Sequence, residues 1–222
     1  PGSEPSLDEI RRKYDLLLEL GEDRPFNIQL SGGEPTVRED LPEIIRMGAE
    51  KGFDYIQINS NGKRLGLEKD YAGILREAGA SVIFMQFDGT EDDINLALRN
   101  EALLDIKKAA IRNCREAGLP VTLVPTIVKD INLFNIGALI DFMLDNLDVV
   151  KGIHFQPVSY FGRYPKAFEA GGTAVVSDGR VTMFDVMHAI QDQTGGSFQY
   201  NDLLPISTGH PLCCFYGSYM KE

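Results

Sequence analysis

Two periods take turns along this chain of 222 residues. Leu7, Ile10, Tyr14, Leu17 and Leu18 recur at helical spacing behind Ser6, and Glu9 three residues on completes a capping-box signature. Gly21 stops that helix. Residues 26–31 then alternate β-forming and polar side chains, which predicts a short strand running into Gly32, Gly33, Glu34 and Pro35. Asp40 with Glu43 repeats the capping-box signature and opens a helix at 41–51 that ends at Gly52. Further strands are predicted near 54–59, 81–87, 121–127 and 152–157. Helical segments at 68–78, 91–117 and 133–147 separate them, the second with a change of register near Asn100. The run at 81–87 carries few polar residues, the pattern of a strand buried on both faces. Pro125 interrupts the fourth strand near its end, and Pro157 closes the fifth. A last amphipathic helix covers 181–193, and beyond Thr194 only turns and a Cys-Cys pair are expected.

Strands alternating with helices predict βα units in a parallel sheet of the α/β class, a βα barrel or part of one. In such folds ligands collect where the strands end. All five predicted ends carry polar groups: 31–34, 59–62, 86–88, Thr126 and Gln156. Glu34 stands on the lip of its strand with Pro35 holding the backbone behind it, placed to accept hydrogen bonds from an ammonium group. The paired glycines let the backbone turn tightly and approach a ligand with no Cβ in the way. Each feature has a plainer reading. Glu34 could decorate an ordinary turn, Asn61-Gly62 and Asp88-Gly89 are turn dipeptides, and a Gln on a buried strand can serve a neighbouring backbone group. Five successive strand ends of this kind weigh against the plain reading of all of them.

Hydrophobic residues make up 43% of the chain, which suits a globular core. No apolar run approaches the roughly 18 residues of a membrane span. Lys plus Arg number 22 against 33 Asp plus Glu, a net charge of −11 that repels phosphate backbones and argues against a nucleic-acid partner. Three cysteines cannot build a disulfide framework, and the expected compartment is cytoplasmic.

The corner Gly32-Gly33-Glu34-Pro35 resembles the motif by which radical S-adenosylmethionine (SAM) enzymes bind the amino group of SAM. Asn59-Ser60-Asn61-Gly62 resembles the Thr-Asn-Gly stretch after the third strand of many such enzymes, and Gln86-Phe87-Asp88-Gly89 their Ser-Leu-Asp-Gly after the fourth, with Gln86 where Ser is common. Arg99, eleven residues beyond Asp88, matches an arginine that pairs with the SAM carboxylate, a task suited to a guanidinium's two parallel donors. The resemblance implies an adenine-side wall from the strand containing Thr126 and assigns Gln156 to the cofactor site. Within the superfamily the likeness is greatest to the group containing the archaeal tetraether lipid synthase and the methanopterin ring methylase. It extends through 113–118, Val124-Pro125-Thr126, 155–159 with Gly162-Arg163, and His210-Pro211-Leu212-Cys213-Cys214.

That resemblance implies a partial (β/α) barrel open at one edge, with a core at 1–160 and a C-terminal extension at 161–222. It implies an enzyme that uses SAM and a [4Fe–4S] cluster to generate a 5′-deoxyadenosyl radical for C–H activation, such as methylation or C–C coupling on a lipid-like or pterin-like substrate. An electron donor such as ferredoxin or flavodoxin would serve it. The family's Cys-x-x-x-Cys-x-x-Cys is absent from the sequence, so the cluster ligands are expected upstream and the chain alone is expected to be inactive. Cys213 and Cys214 are candidate ligands of an auxiliary iron–sulfur cluster, whereas Cys114 reads as a small buried thiol on a helix. Two other classes stay open: a non-catalytic βα domain that binds a nucleotide or partner without a cluster, and a metal- or phosphate-dependent barrel enzyme, disfavoured because no ligand set is visible.

Overall fold

The computed structural model describes residues 4–20, 27–159, 180–205 and 214–220. Helix α1 (Leu7–Glu19) starts on the expected box: the Glu9 N–H donates to Ser6 Oγ at 3.3 Å, and the Ser6 N–H donates to Glu9 Oε2 at 2.7 Å. Strand β1 (Asn27–Leu30) lies inside the expected span, whose first residue, Phe26, falls outside the described residues. Helix α2 (Leu41–Lys51) forms where the periodicity placed it and ends at Gly52, but its expected capping box does not exist. Arg38 takes the Asp40 carboxylate instead, donating from Nε and Nη2 at 2.8 Å each. A bidentate pair with a guanidinium outcompetes a single cap bond for the same carboxylate.

Strand β2 (Tyr55–Ser60), helices α3 (Lys63–Leu67) and α4 (Tyr71–Ala78), strand β3 (Val82–Gln86), and helices α5 (Asp92–Arg99) and α6 (Leu104–Glu116) follow. The expected helix at 68–78 is thus shorter, and α3 before it was not anticipated. The break near Asn100 is real: Asn100 caps α5 in the left-handed region, with φ +58°. Pro125 divides the next run into β4 (Val121–Val124) and β5 (Thr126–Ile127). Helix α7 (Ile136–Asp145) begins three residues later than expected, behind a 3-10 turn at Leu133–Asn135. The strand expected at 152–157 is instead two, β6 (Val150–Ile153) and β7 (Gln156–Pro157). Helix α8 (Met183–Gln193) is capped by Thr182.

The chain divides into two units. The first comprises Pro1–Phe87, Leu103–Leu123 and Asn146–Gly152. It carries a five-stranded parallel sheet in the order β1-β2-β3-β4-β6, with flanking helices. Ile28 pairs with Ile56 and Leu30 with Ile58 across β1 and β2, while Ile58 pairs with Ile83 across β2 and β3. Ile28, Ile56, Ile58 and Ile83 are buried with Leu41, Ile44, Ile45 and Leu75 from the helices, and Leu30 is half-buried. Tyr14 of α1 meets Phe53 edge to face, with centroids 5.2 Å apart. Gly62, at φ +79°, turns the chain out of β2. At Gly66 an added Cβ would overlap the Ile106 carbonyl, so glycine is what lets α3 close on α6.

The second unit comprises Asp88–Ala102, Val124–Asp145 and Ile153–Glu222. Here β5 and β7 pair in parallel, Thr126 with Gln156 and Ile127 with Pro157. Pro125 explains why β4 and β5 enter different sheets. It has no N–H to continue a ladder, yet its carbonyl accepts from the Gln156 N–H at 3.0 Å. The core is Ile127, Ile136, Ile140, Val186 and Ile190, with Gln193 accepting from the Gly137 N–H at 2.9 Å and donating to the Leu133 carbonyl at 2.8 Å. The segment after Thr194 is more than turns: a 3-10 turn at Tyr200–Asp202 precedes an antiparallel pair, β8 (Leu204–Pro205) and β9 (Phe215–Tyr216). Tyr200 stacks on His188 with centroids 4.7 Å apart, which ties the 3-10 turn to α8. Gly162, Arg163 and His210 lie outside the described residues. Among the described residues no helix is long and apolar enough to cross a membrane.

Gly66→Ala should destabilise the protein by about 1–3 kcal/mol, because the clash is with backbone and the helices must part. A fall in the urea midpoint at constant m value checks this. An unchanged midpoint would mean that α3 and α6 do not meet at Gly66.

Candidate functional site

At the end of β1 the chain enters Ser31, Gly32 and Gly33, all exposed, and then the half-buried Glu34. The chain bends at both glycines, though neither residue is left-handed. An added Cβ on Gly32 or Gly33 would meet no protein atom within 4 Å. Internal packing therefore supplies no reason for glycine at either position.

Glu34 caps the 3-10 turn Pro35–Val37 with its own side chain. Oε1 accepts from the Thr36 N–H at 3.1 Å, the Thr36 hydroxyl at 2.6 Å and the Ser60 hydroxyl at 2.9 Å. Oε2 accepts from the Asn61 N–H at 2.6 Å. Ser60, 6% exposed at the end of β2, also accepts from the Gly62 N–H at 3.0 Å, so its hydroxyl direction is set by the turn that follows it. The two strand ends are thereby joined through one carboxylate. Oε1 is saturated by three donors, whereas Oε2 retains acceptor capacity. Asn59 accepts from Gln57 Nε2 at 2.8 Å, a pair along its own strand and not part of the Glu34 cluster. Glu34, Thr36, Asn61 and Arg64 line a cavity of about 330 Å³.

Gln86 ends β3 half-buried, and its carbonyl accepts from Lys107 Nζ at 2.6 Å. Lys107 is fully buried on α6. The sequence held a signal for it: Lys107 stands on the same helical stripe as Ala110, Ile111 and Cys114, at i, i+3, i+4 and i+7, and should be read as inward-facing.

A separate cluster belongs to the second unit. Asp88 is fully buried and accepts from Arg99 Nε at 2.8 Å, Arg99 Nη2 at 3.1 Å and the Thr126 N–H at 3.0 Å. Arg99 Nη2 also donates to Thr126 Oγ1 at 3.2 Å. Asn132, fully buried and unanticipated from sequence, donates to the Asp88 and Thr126 carbonyls at 2.8 Å each and accepts from the Val128 N–H at 2.7 Å. The structure thus brings Asp88, Arg99 and Thr126 together, and both Asp88 oxygens are engaged by protein donors. Asp88 orients Arg99 and is not itself open to a ligand. Gln156 pairs with Thr126 through the backbone, and the residue is exposed.

Cys114 is buried on α6, and burial pushes its thiol up to about 12, which disfavours the thiolate that iron needs. Cys214 is exposed and free, and Cys213 lies outside the described residues. Among the described residues no group of three His, Cys, Asp or Glu could hold a metal ion. The described residues do not fit a [4Fe–4S] cluster.

Removing Arg99 should cost more than removing Asp88. Arg99→Met strands a carboxylate with no exposure, for which about 3–5 kcal/mol is expected. Asp88→Asn leaves a guanidinium that is 32% exposed and can recover water, so its loss should be smaller. Urea unfolding of both variants tests the order, and the reverse order would remove Asp88 as the buried anchor.

Residues 1–143 match the model of the Radical SAM superfamily. The chain is 38% identical over 210 residues to the 7,8-dihydro-6-hydroxymethylpterin dimethyltransferase of Methanocaldococcus jannaschii, covering 94% of this chain and 40% of that protein. It is 32% identical over 164 residues to the Fe-coproporphyrin III synthase of Methanosarcina barkeri, covering 74% of this chain and 39% of that one. The chain therefore spans about two fifths of the length of these relatives. Among solved structures, a domain of pyruvate-formate lyase-activating enzyme from Bacteroides vulgatus superposes with a TM-score of 0.53 at 13% identity, covering 76% of this chain and 95% of that one. This places the fold in the partial-barrel class.

Proposed function

Because the chain belongs to the radical SAM superfamily, whose members use SAM and a [4Fe–4S] cluster, we propose that it is the SAM-binding core of a radical SAM enzyme acting on a pterin-like small molecule. The observation that carries the first half is the Glu34 corner. Its carboxylate is oriented by donors from two strand ends while Oε2 keeps acceptor capacity, and Gly32 and Gly33 present bare backbone for which the protein itself has no use. A SAM ammonium suits Oε2, and the sulfonium-linked chain suits the bare backbone beside it. Arg99, held in place by Asp88 and Thr126, is the proposed partner of the SAM carboxylate. Gln86, Asn59, Thr126 and Gln156 are the proposed remaining contacts.

Bound to a reduced cluster, SAM supplies the power to take hydrogen from an unreactive C–H bond. The chain's part is to bind and orient. The pterin-like substrate class and methylation as the reaction rest on similarity to the M. jannaschii dimethyltransferase along nearly the whole chain. The cluster ligands are proposed to lie on a segment outside these 222 residues, because the sequence holds no Cys-x-x-x-Cys-x-x-Cys. Cys213 and Cys214 remain proposed ligands of an auxiliary cluster, and a ferredoxin- or flavodoxin-like protein remains the proposed electron donor.

Gly33→Ala separates binding from stability. With no protein atom near the new Cβ, the variant should be as stable as the parent or gain about 0.4–1 kcal/mol from a stiffer unfolded chain. Its SAM affinity, by calorimetry on the full-length cluster-loaded protein, should fall by about tenfold or more, that is at least about 1.4 kcal/mol. Full affinity would remove the corner from the site.

The 222-residue chain alone, reconstituted anaerobically with iron and sulfide, should release no 5′-deoxyadenosine from SAM. Release would mean that Cys114, Cys213 and Cys214 hold the cluster. A full-length protein with no cluster-binding cysteines would favour the non-catalytic binding module.

A further inference from the structure

Arg64 lies on α3, two residues beyond the Gly62 turn, with its side chain 20% exposed. Its three donor directions are all engaged. Nη1 donates to the Thr36 carbonyl at 2.8 Å, Nη2 to Glu39 Oε2 at 2.8 Å, and Nε to Glu68 Oε1 at 3.0 Å. The guanidinium carbon sits 4.2 Å from the centroid of the Tyr71 ring. Tyr71 is buried and its hydroxyl has no hydrogen-bond partner among the described residues, so the ring serves Arg64 as a face and not as a donor.

These contacts are not equal. Glu39 and Glu68 side chains are 84% and 54% exposed, and ion pairs so open to water aim a guanidinium more than they hold it. Thr36 is 1% exposed, and its N–H and hydroxyl are the two donors that fix Glu34 Oε1 from the same side. Arg64 grips the remaining polar group of Thr36, its carbonyl. Thr36, the middle residue of the Pro35–Val37 turn, is therefore held between the Glu34 carboxylate and Arg64. A lysine could reach the carbonyl but could not also meet Glu39, Glu68 and the ring with one planar group.

We propose that Arg64 is a positioning residue for the ammonium site: by fixing Thr36 it sets the direction of the Glu34 carboxylate, and so the aim of Oε2. This rests on the reading of Glu34 as the ammonium acceptor. It assigns Arg64 no contact with SAM.

The test compares two ligands on the full-length cluster-loaded protein by calorimetry: SAM, and 5′-methylthioadenosine, which keeps the adenosine and sulfur but has neither ammonium nor carboxylate. Arg64→Met should weaken SAM by about tenfold and leave methylthioadenosine unchanged, and Arg64→Lys should not rescue the loss. In a Glu34→Gln background Arg64→Met should have no further effect on SAM, because the carboxylate it aims is gone. Equal losses for both ligands, additive losses in the double variant, or full SAM affinity in Arg64→Met would each overturn the proposal. Glu34→Gln as a single variant is the separate check: full SAM affinity there means the ammonium reading fails, and Arg64 falls with it. Arg64→Lys keeps the test readable if the methionine variant does not fold.

Discussion

A carboxylate that is to hold a ligand must be rigid before the ligand arrives, yet must not be neutralised in the process. Glu34 meets both demands with neutral donors. Two backbone N–H groups and two hydroxyls converge on it, and none carries charge. The negative charge is thus oriented without an ion pair that a ligand would have to displace. The end of β1, the 3-10 turn, the end of β2 and the Gly62 turn all take their local geometry from satisfying this one group. Preorganisation of this kind lowers the ordering cost of binding, which is where much affinity is otherwise lost.

The Asp88 cluster solves a different problem. Its carboxylate is fully buried and would be expensive to leave alone, so it is surrounded by Arg99, the Thr126 N–H and a backbone network closed by Asn132. Here charge is paired with charge. The pairing fixes the rotamer of Arg99, a long side chain that would otherwise lose considerable entropy on binding. An aspartate in a turn dipeptide is therefore a scaffold for the residue eleven positions later.

The pattern of periods was enough to place nearly every strand and most helices, because a half-buried element must repeat its apolar residues at its own period. Glu34, Asp88 and Arg99 stood out through their likeness to family motifs, whereas the pairing of Asp88 with Arg99 did not. The errors share a cause. Asp40 carries a cap signature, but Arg38 lies within reach and takes it. The strand expected at 152–157 is two because its two halves answer to different partners, and the interruption that divides them is Pro125, far back in the chain.

What the sequence determined by itself was therefore the parallel α/β fold and the family, both of which rest on local period and contiguous motif. Only the tertiary structure decided the roles within the site. It showed that Ser60 and the Asn61 N–H support Glu34, that Asp88 faces protein, and that Lys107 and Asn132 hold strand-end carbonyls. It showed too that Arg64 reaches back to Thr36 across 28 residues. The physical reason is that a hydrogen bond is set by distance and direction between atoms, and the chain's order carries neither for residues that only the fold brings together.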